Sequence, residues 1–175
     1  MAIYRWGRAG LILIVLVGAS RAFAETATSV IQPTGEKSKG SGTATFSDTP
    51  NGLKVTVQVT NAPQGKHGIH IHQFGHCGDK GNAAGGHFNP DGIKHGYLPK
   101  DGFLEAHAGD LGNIEINKDG KGTLSLLIAG LTVTGGRYTV AGRSIVLHEK
   151  PDDFGQPTGN AGGRIGCGPI MITSE

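Results

Sequence analysis

Residues 66–90 read KHGIHIHQFGHCGDKGNAAGGHFNP, and both the fold and the chemistry of the chain turn on this stretch. His70 and His72 stand two apart in an apolar segment. On an extended strand their side chains leave one face, while Ile69 and Ile71 point to the other. One face can then bind metal and the other can pack. His87 follows fifteen residues after His72, and beyond it lie His95, His107 and Asp110. Imidazole and carboxylate donors at this density exceed what packing requires, and they are the ligand types that first-row divalent metals take.

Outward from this stretch the pattern is one of short strands. Candidates are residues 27–32, 42–47, 53–60, 67–73, 112–117, 122–128, 144–148 and 168–173. The third is the clearest, with Leu53, Val55, Val57 and Val59 alternating against Lys54, Thr56, Gln58 and Thr60. Thr49-Pro50-Asn51-Gly52 and Asn117-Lys118-Asp119-Gly120 read as hairpin turns. Thirty-one glycines and the lack of a long 3.6-residue period argue against a helical protein. Eight strands with turn signals predict an all-β, antiparallel barrel or sandwich. Two connections, 74–111 and 149–166, are longer than a minimal barrel needs and carry most of the reactive side chains, as functional loops do.

The chain start has a different character. Arg5 and Arg8 precede the apolar run 11–17, and Ala22-Phe23-Ala24 has the small-x-small form of a cleavage site, so residues 1–24 read as a secretory signal peptide. The run is too short to span a bilayer, and no membrane contact is expected after cleavage. Removing the segment takes three arginines and no acids from a chain of formal net charge +2, leaving −1 over residues 25–175. The remaining basic residues are scattered, which gives no footing for nucleic-acid binding. Residues 25–175 are the size of one domain with a real core. Cys77 and Cys167 are the only cysteines, and export places them where disulfides persist. A bridge would tie the first long connection to the last strand; two buried thiols or a thiolate metal pair are the alternatives.

Taken singly, the donors decide little. Asp110 could be a turn carboxylate, His95 and His107 exposed loop histidines, and His148 the point where strand 144–148 meets water. Their order is more informative. The segments HIHQFG, GGHFNP, KHG, HAGDLGN, VLHEKPDD and TGNAGGRIGCG occur together in this sequence, and the chain resembles the copper,zinc superoxide dismutases, of the exported bacterial type, from about residue 30 to 172.

The resemblance implies an eight-stranded Greek-key β-barrel with two long functional loops, and a superoxide dismutase activity that converts two superoxide anions to dioxygen and hydrogen peroxide by copper redox cycling. It implies one copper ion on His70, His72, His87 and His148, and one zinc ion on His87, His95, His107 and Asp110. His87 would be shared as an imidazolate bridge and would also carry a proton. All-imidazole coordination suits a redox-active copper, and three imidazoles with a carboxylate suit a redox-silent zinc. Arg164 would hold the incoming anion, Asp152 would join a copper histidine to a zinc histidine, and Lys150 would add positive potential. His67 reads as a buried hydrogen-bonding residue and His76 as an exposed one.

The sequence departs from the better-known eukaryotic pattern in a longer segment between Cys77 and His87 and a shorter one between Asp152 and Arg164. Steering of the anion would then rest on Arg164, Lys150 and the metals. A zinc hydrolase is the weakest alternative, because four protein donors leave no open position for an activated water. A metal buffer has no use for Arg164. A periplasmic or secreted location follows from the signal segment, and the resemblance leaves monomer and homodimer both open.

Overall fold

The computed structural model describes residues 24–174. The signal segment therefore lies, apart from Ala24, outside the described residues. The strands are β1 (Thr26–Pro33), β2 (Ser41–Thr49), β3 (Gly52–Thr60), β4 (Gly65–His72), β5 (Asp110–Ile116), β6 (Gly122–Ile128), β7 (Ser144–His148), β8 (Arg164–Pro169) and β9 (Met171–Ser174). All pair antiparallel, in the spatial order β5-β4-β7-β8-β1-β2-β3-β6, with β9 on β1. β5 and β6, at the two ends of this path, are consecutive strands joined by a turn in which Gly120 (φ 73°) donates to the Asn117 carbonyl, so the sheet is a nearly closed barrel. The connections from β3 to β4 and from β6 to β7 cross over between strands that are not neighbours, which makes the topology Greek-key.

The alternation in β3 does what its pattern predicts, burying Leu53, Val55, Val57 and Val59 while Lys54, Gln58 and Thr60 face water. β4 and β7 differ, because loops cover their outer faces. Ile69 and Ile71 enter the main core, and His70 and His72 on the opposite face are buried as well.

The predicted strand 168–173 is corrected to two strands. Ile170 leaves the ladder between them, donates its N–H to the Arg143 carbonyl and accepts from Gly142 N–H, and its side chain is fully buried. β8 therefore meets the end of β1 at Gln32 and Pro33, while β9 meets its beginning at Thr26–Thr28. β8 starts at Arg164, earlier than alternation suggested, which puts that arginine on the rim of the barrel. Residues 131–140 carried no strand pattern, yet Leu131, Val133 and Val140 are buried in the same core.

Cys77 and Cys167 form a disulfide with Cα atoms 5.7 Å apart, spanning ninety residues. It fastens the loop after β4, including the 3-10 segment Asp79–Ala84, to β8. In the loop-entropy account such a closure contributes about 4–5 kcal/mol. Replacing both cysteines by serine should lower the unfolding free energy of the metal-free protein by about that much in a denaturant titration. A loss below about 1 kcal/mol would show that this closure does not stabilise the fold.

Candidate metal centre

A triangle of main-chain hydrogen bonds brings three of the donor-bearing segments together. Phe88 N–H donates to the Ile71 carbonyl (2.8 Å), Ile71 N–H to Gly109 (2.9 Å), and Gly109 N–H to Phe88 (2.9 Å). Each corner of the triangle adjoins a donor: His72, His87, and the pair His107 and Asp110. A Cβ at Gly109 would stand 2.1 Å from the Ile71 oxygen, so only glycine permits this approach. His148 comes from the end of β7, level with Arg164 across a register shift that re-aims both side chains.

Two buried sets of four donors result, each with ligand atoms within 4.8 Å of one another: His70, His72, His87 and His148, and His87, His95, His107 and Asp110. His87 belongs to both. Its Nδ1 lies 2.8 Å from Asp110 Oδ1 and 3.3 Å from His107 Nδ1, which leaves Nε2 for the first set. In that set His72 Nε2 lies 3.3 Å from His148 Nε2. Asp110 is braced from the main chain, its Oδ2 accepting from Gly96 N–H and His107 N–H, both at 3.0 Å.

The residues fit metal ions on two observations. Three buried side-chain atoms among the described residues lack a hydrogen-bond partner, and two of them are His70 Nδ1 and His95 Nδ1. His95 Nδ1 is only 2.9 Å from Asp110 Oδ2, with no hydrogen bond between them. The donor chemistry divides as expected, four imidazoles in one set and three with a carboxylate in the other.

The charge balance asks for cations. Burial would raise the carboxyl pKa of Asp110, yet hydrogen bonds from His107 and His87, with the His95 ring beside it, outweigh it and hold the group well below the usual range. Asp152 behaves likewise through His70 and His95. Burial alone would lower His95, but Asp110 and Asp152 together push it up to about 9. On the other side burial holds His72 and His148 far below their ordinary value and lowers His87 to about 4, which keeps these rings neutral, as ligands must be.

Asp152 connects the two sets from outside. Its Oδ2 accepts from His70 Nε2 (2.9 Å) and its Oδ1 from His95 Nε2 (2.9 Å), fixing each ring with Nδ1 turned inward. Asn113 on β5 braces Asp152 at both main-chain groups, donating to its carbonyl (2.9 Å) and accepting from its N–H (2.8 Å). Such amide clamps leave no repeat or period in the sequence.

Arg164 reaches over the first set. Its guanidinium donates to the carbonyls of Gly81 (2.5 Å) and Gly85 (2.6 Å), in and beside the 3-10 segment that the disulfide fastens. Gly85 also accepts from His72 Nδ1 at 3.0 Å, so one carbonyl orients both residues. Arg164, His72, His87, His148 and Asn160 line a cavity of about 180 Å³. Lys150 is exposed and packs its stem beside Gly162. His67 is buried with ring nitrogens at the carbonyls of His148 (2.8 Å) and Pro63 (3.0 Å), as expected. His76 is exposed and accepts only a local N–H from Gly78, and it joins neither donor set.

A Greek-key barrel carrying a dinuclear metal centre beneath its loops is thus the class that fold and site define. The copper/zinc superoxide dismutase (SODC) family profile matches residues 40–170. An extracellular superoxide dismutase [Cu-Zn] of Caenorhabditis elegans is 42% identical over 141 residues, 77% of this chain and 62% of the nematode protein. Superoxide dismutase [Cu-Zn] 5 of Dictyostelium discoideum is 40% identical over 141 residues, 75% of this chain and 90% of that protein. A crystal structure of the clock protein EA4 superposes with a TM-score of 0.75 at 34% identity, covering 86% of this chain and 96% of the other. The chain belongs to the copper/zinc superoxide dismutase family.

Gly159 offers a test of this geometry. It has φ 75°, and a Cβ there would stand 1.9 Å from Asp152 Oδ1 and 2.6 Å from His95 Nε2. Gly159→Ala should break the Asp152–His95 contact and lower zinc and copper content per chain, measured by elemental analysis after purification. Full occupancy of both ions would show that the clasp is dispensable.

Proposed function

We propose that this chain dismutates superoxide, with copper on His70, His72, His87 and His148 and zinc on His87, His95, His107 and Asp110. The observation that carries the reading is a single buried imidazole, His87, common to two donor sets, one of which opens on a cavity beside Arg164. Family membership supports it.

Copper supplies a one-electron acceptor and donor, and zinc supplies fixed charge and geometry. The net reaction takes two superoxide anions and two protons to one dioxygen and one hydrogen peroxide. The chain contributes in three ways. Arg164, pinned by two carbonyls, presents a fixed positive charge to an anion entering the cavity. His87, with Nδ1 held by Asp110, keeps Nε2 toward the cavity as the atom that takes up and passes on a proton. Asp152 holds His70 and His95 in the tautomer that turns each Nδ1 inward.

Residues 1–24 act as the export signal and residues 25–175 as the enzyme domain, working as a monomer or homodimer in the periplasm or outside the cell. The disulfide supports an oxidising location, and the nematode relative is extracellular by name. Lys150, Arg164 and the bound metals together supply the steering charge.

The metal-loaded protein should consume superoxide in a cytochrome c competition assay and lose that activity when copper is removed. Arg164→Ala should lower the rate about tenfold or more while leaving both metals bound, as expected for loss of one charge-assisted contact. Unchanged activity would remove Arg164 from the mechanism, and loss of copper would assign it a structural role.

A further inference from the structure

His95 is the donor with the least regular support. It lies within residues 92–97, which belong to no helix or strand. Its ring is fixed by Asp152, but a ring can be no better placed than the backbone that bears it. Both main-chain groups of His95 are taken by one side chain from the opposite loop: His95 N–H donates to Gln156 Oε1 (3.0 Å), and Gln156 Nε2 donates to the His95 carbonyl (2.8 Å). The amide stands in for a neighbouring strand, pairing with a residue that has none. Gln156 follows Asp152 by four positions, so a single short loop grips the backbone and the ring of His95 at once.

The same loop covers the outer side of the ring. Phe154 lies within 18° of parallel to His95, with ring centroids 6.4 Å apart. Beyond them is a cavity of about 540 Å³, whose wall includes Lys94, Glu105, Phe154, Gln156 and His95 itself. The Gln156 amide therefore stands between solvent and the main chain of a residue that is only 2% exposed.

We propose that Gln156 is a positioning residue for zinc retention: its side-chain amide sets the main chain of His95 and thereby fixes Nδ1 opposite Asp110. The proposal rests on the reading of His95 as a zinc donor. Its consequence is kinetic, because a freed His95 segment can swing toward the cavity and expose the site to a chelator. The shortened loop between Asp152 and Arg164 thus takes on a second task, holding the zinc side together from the segment that also lines the substrate cavity.

The test follows zinc release from the loaded protein into excess 4-(2-pyridylazo)resorcinol, together with the thermal midpoint of the metal-free form. Gln156→Ala should release zinc roughly 10–100-fold faster than the wild type, the usual range for outer partners of a metal ligand. Gln156→Met, which keeps length without hydrogen bonds, should behave like Gln156→Ala. Gln156→Glu keeps the acceptor but loses the donor and should fall between. Metal-free midpoints should differ little across the series. Zinc release from Gln156→Ala and Gln156→Met within twofold of a zinc-loaded wild type would overturn the proposal while leaving His95 a zinc donor. Should Gln156→Ala fail to fold, the Met and Glu variants decide by the same criterion. A wild type that takes up no zinc would overturn the zinc reading of His95 and this proposal with it.

Discussion

Two carboxylates and six imidazoles, all buried, meet on the outer face of this barrel beneath its long loops, and burying them requires positive charge in fixed places. Asp110 and Asp152 are the anions around which the rest is arranged. Each accepts from two or more histidines, and each is braced from the main chain or by an amide. Unpaired nitrogens on His70 and His95, in an interior that leaves few polar atoms unsatisfied, mark where cations complete the balance. His87 sits on the boundary, one nitrogen directed to the Asp110 side and the other left for the three remaining histidines.

The barrel's contribution is stiffness at a few points. β4 and β7 are adjacent and place His70, His72 and His148 on one wall. The Ile71–Phe88–Gly109 triangle then fixes the loop donors against that wall. The disulfide fastens to β8 the 3-10 segment that, with Gly85 beside it, supplies the carbonyls holding the Arg164 guanidinium. Loops of this length keep a defined shape here because they are tied at cysteine, carboxylate and amide contacts rather than by a ladder.

Much of this was legible in the sequence because strand alternation has period two and metal donors are few in kind. β3 and the two hairpin turns follow directly from side-chain pattern and turn chemistry. The break at Ile170 was not legible: an isoleucine in a strand pattern looks the same whether its N–H pairs across the sheet or turns to Arg143. Residues 131–140 were missed for the same reason, since buried positions in an irregular segment have no period. Within the site the donors were readable and their supports were not. Gly85, Asn113, Gln156 and Gly159 act through main-chain contacts or the lack of a Cβ, and such roles appear only once distant segments are adjacent.

The central claim is that one imidazole serves both metals. It is tested most directly by diffraction from crystals of the copper- and zinc-loaded protein, with anomalous maps recorded at the absorption edge of each element. The account predicts a copper peak among His70, His72 and His148, a zinc peak among His95, His107 and Asp110, and the ring of His87 lying between them within bonding distance of both. Two peaks that share no ring, or a single peak with the other donor set holding only protons, would contradict it.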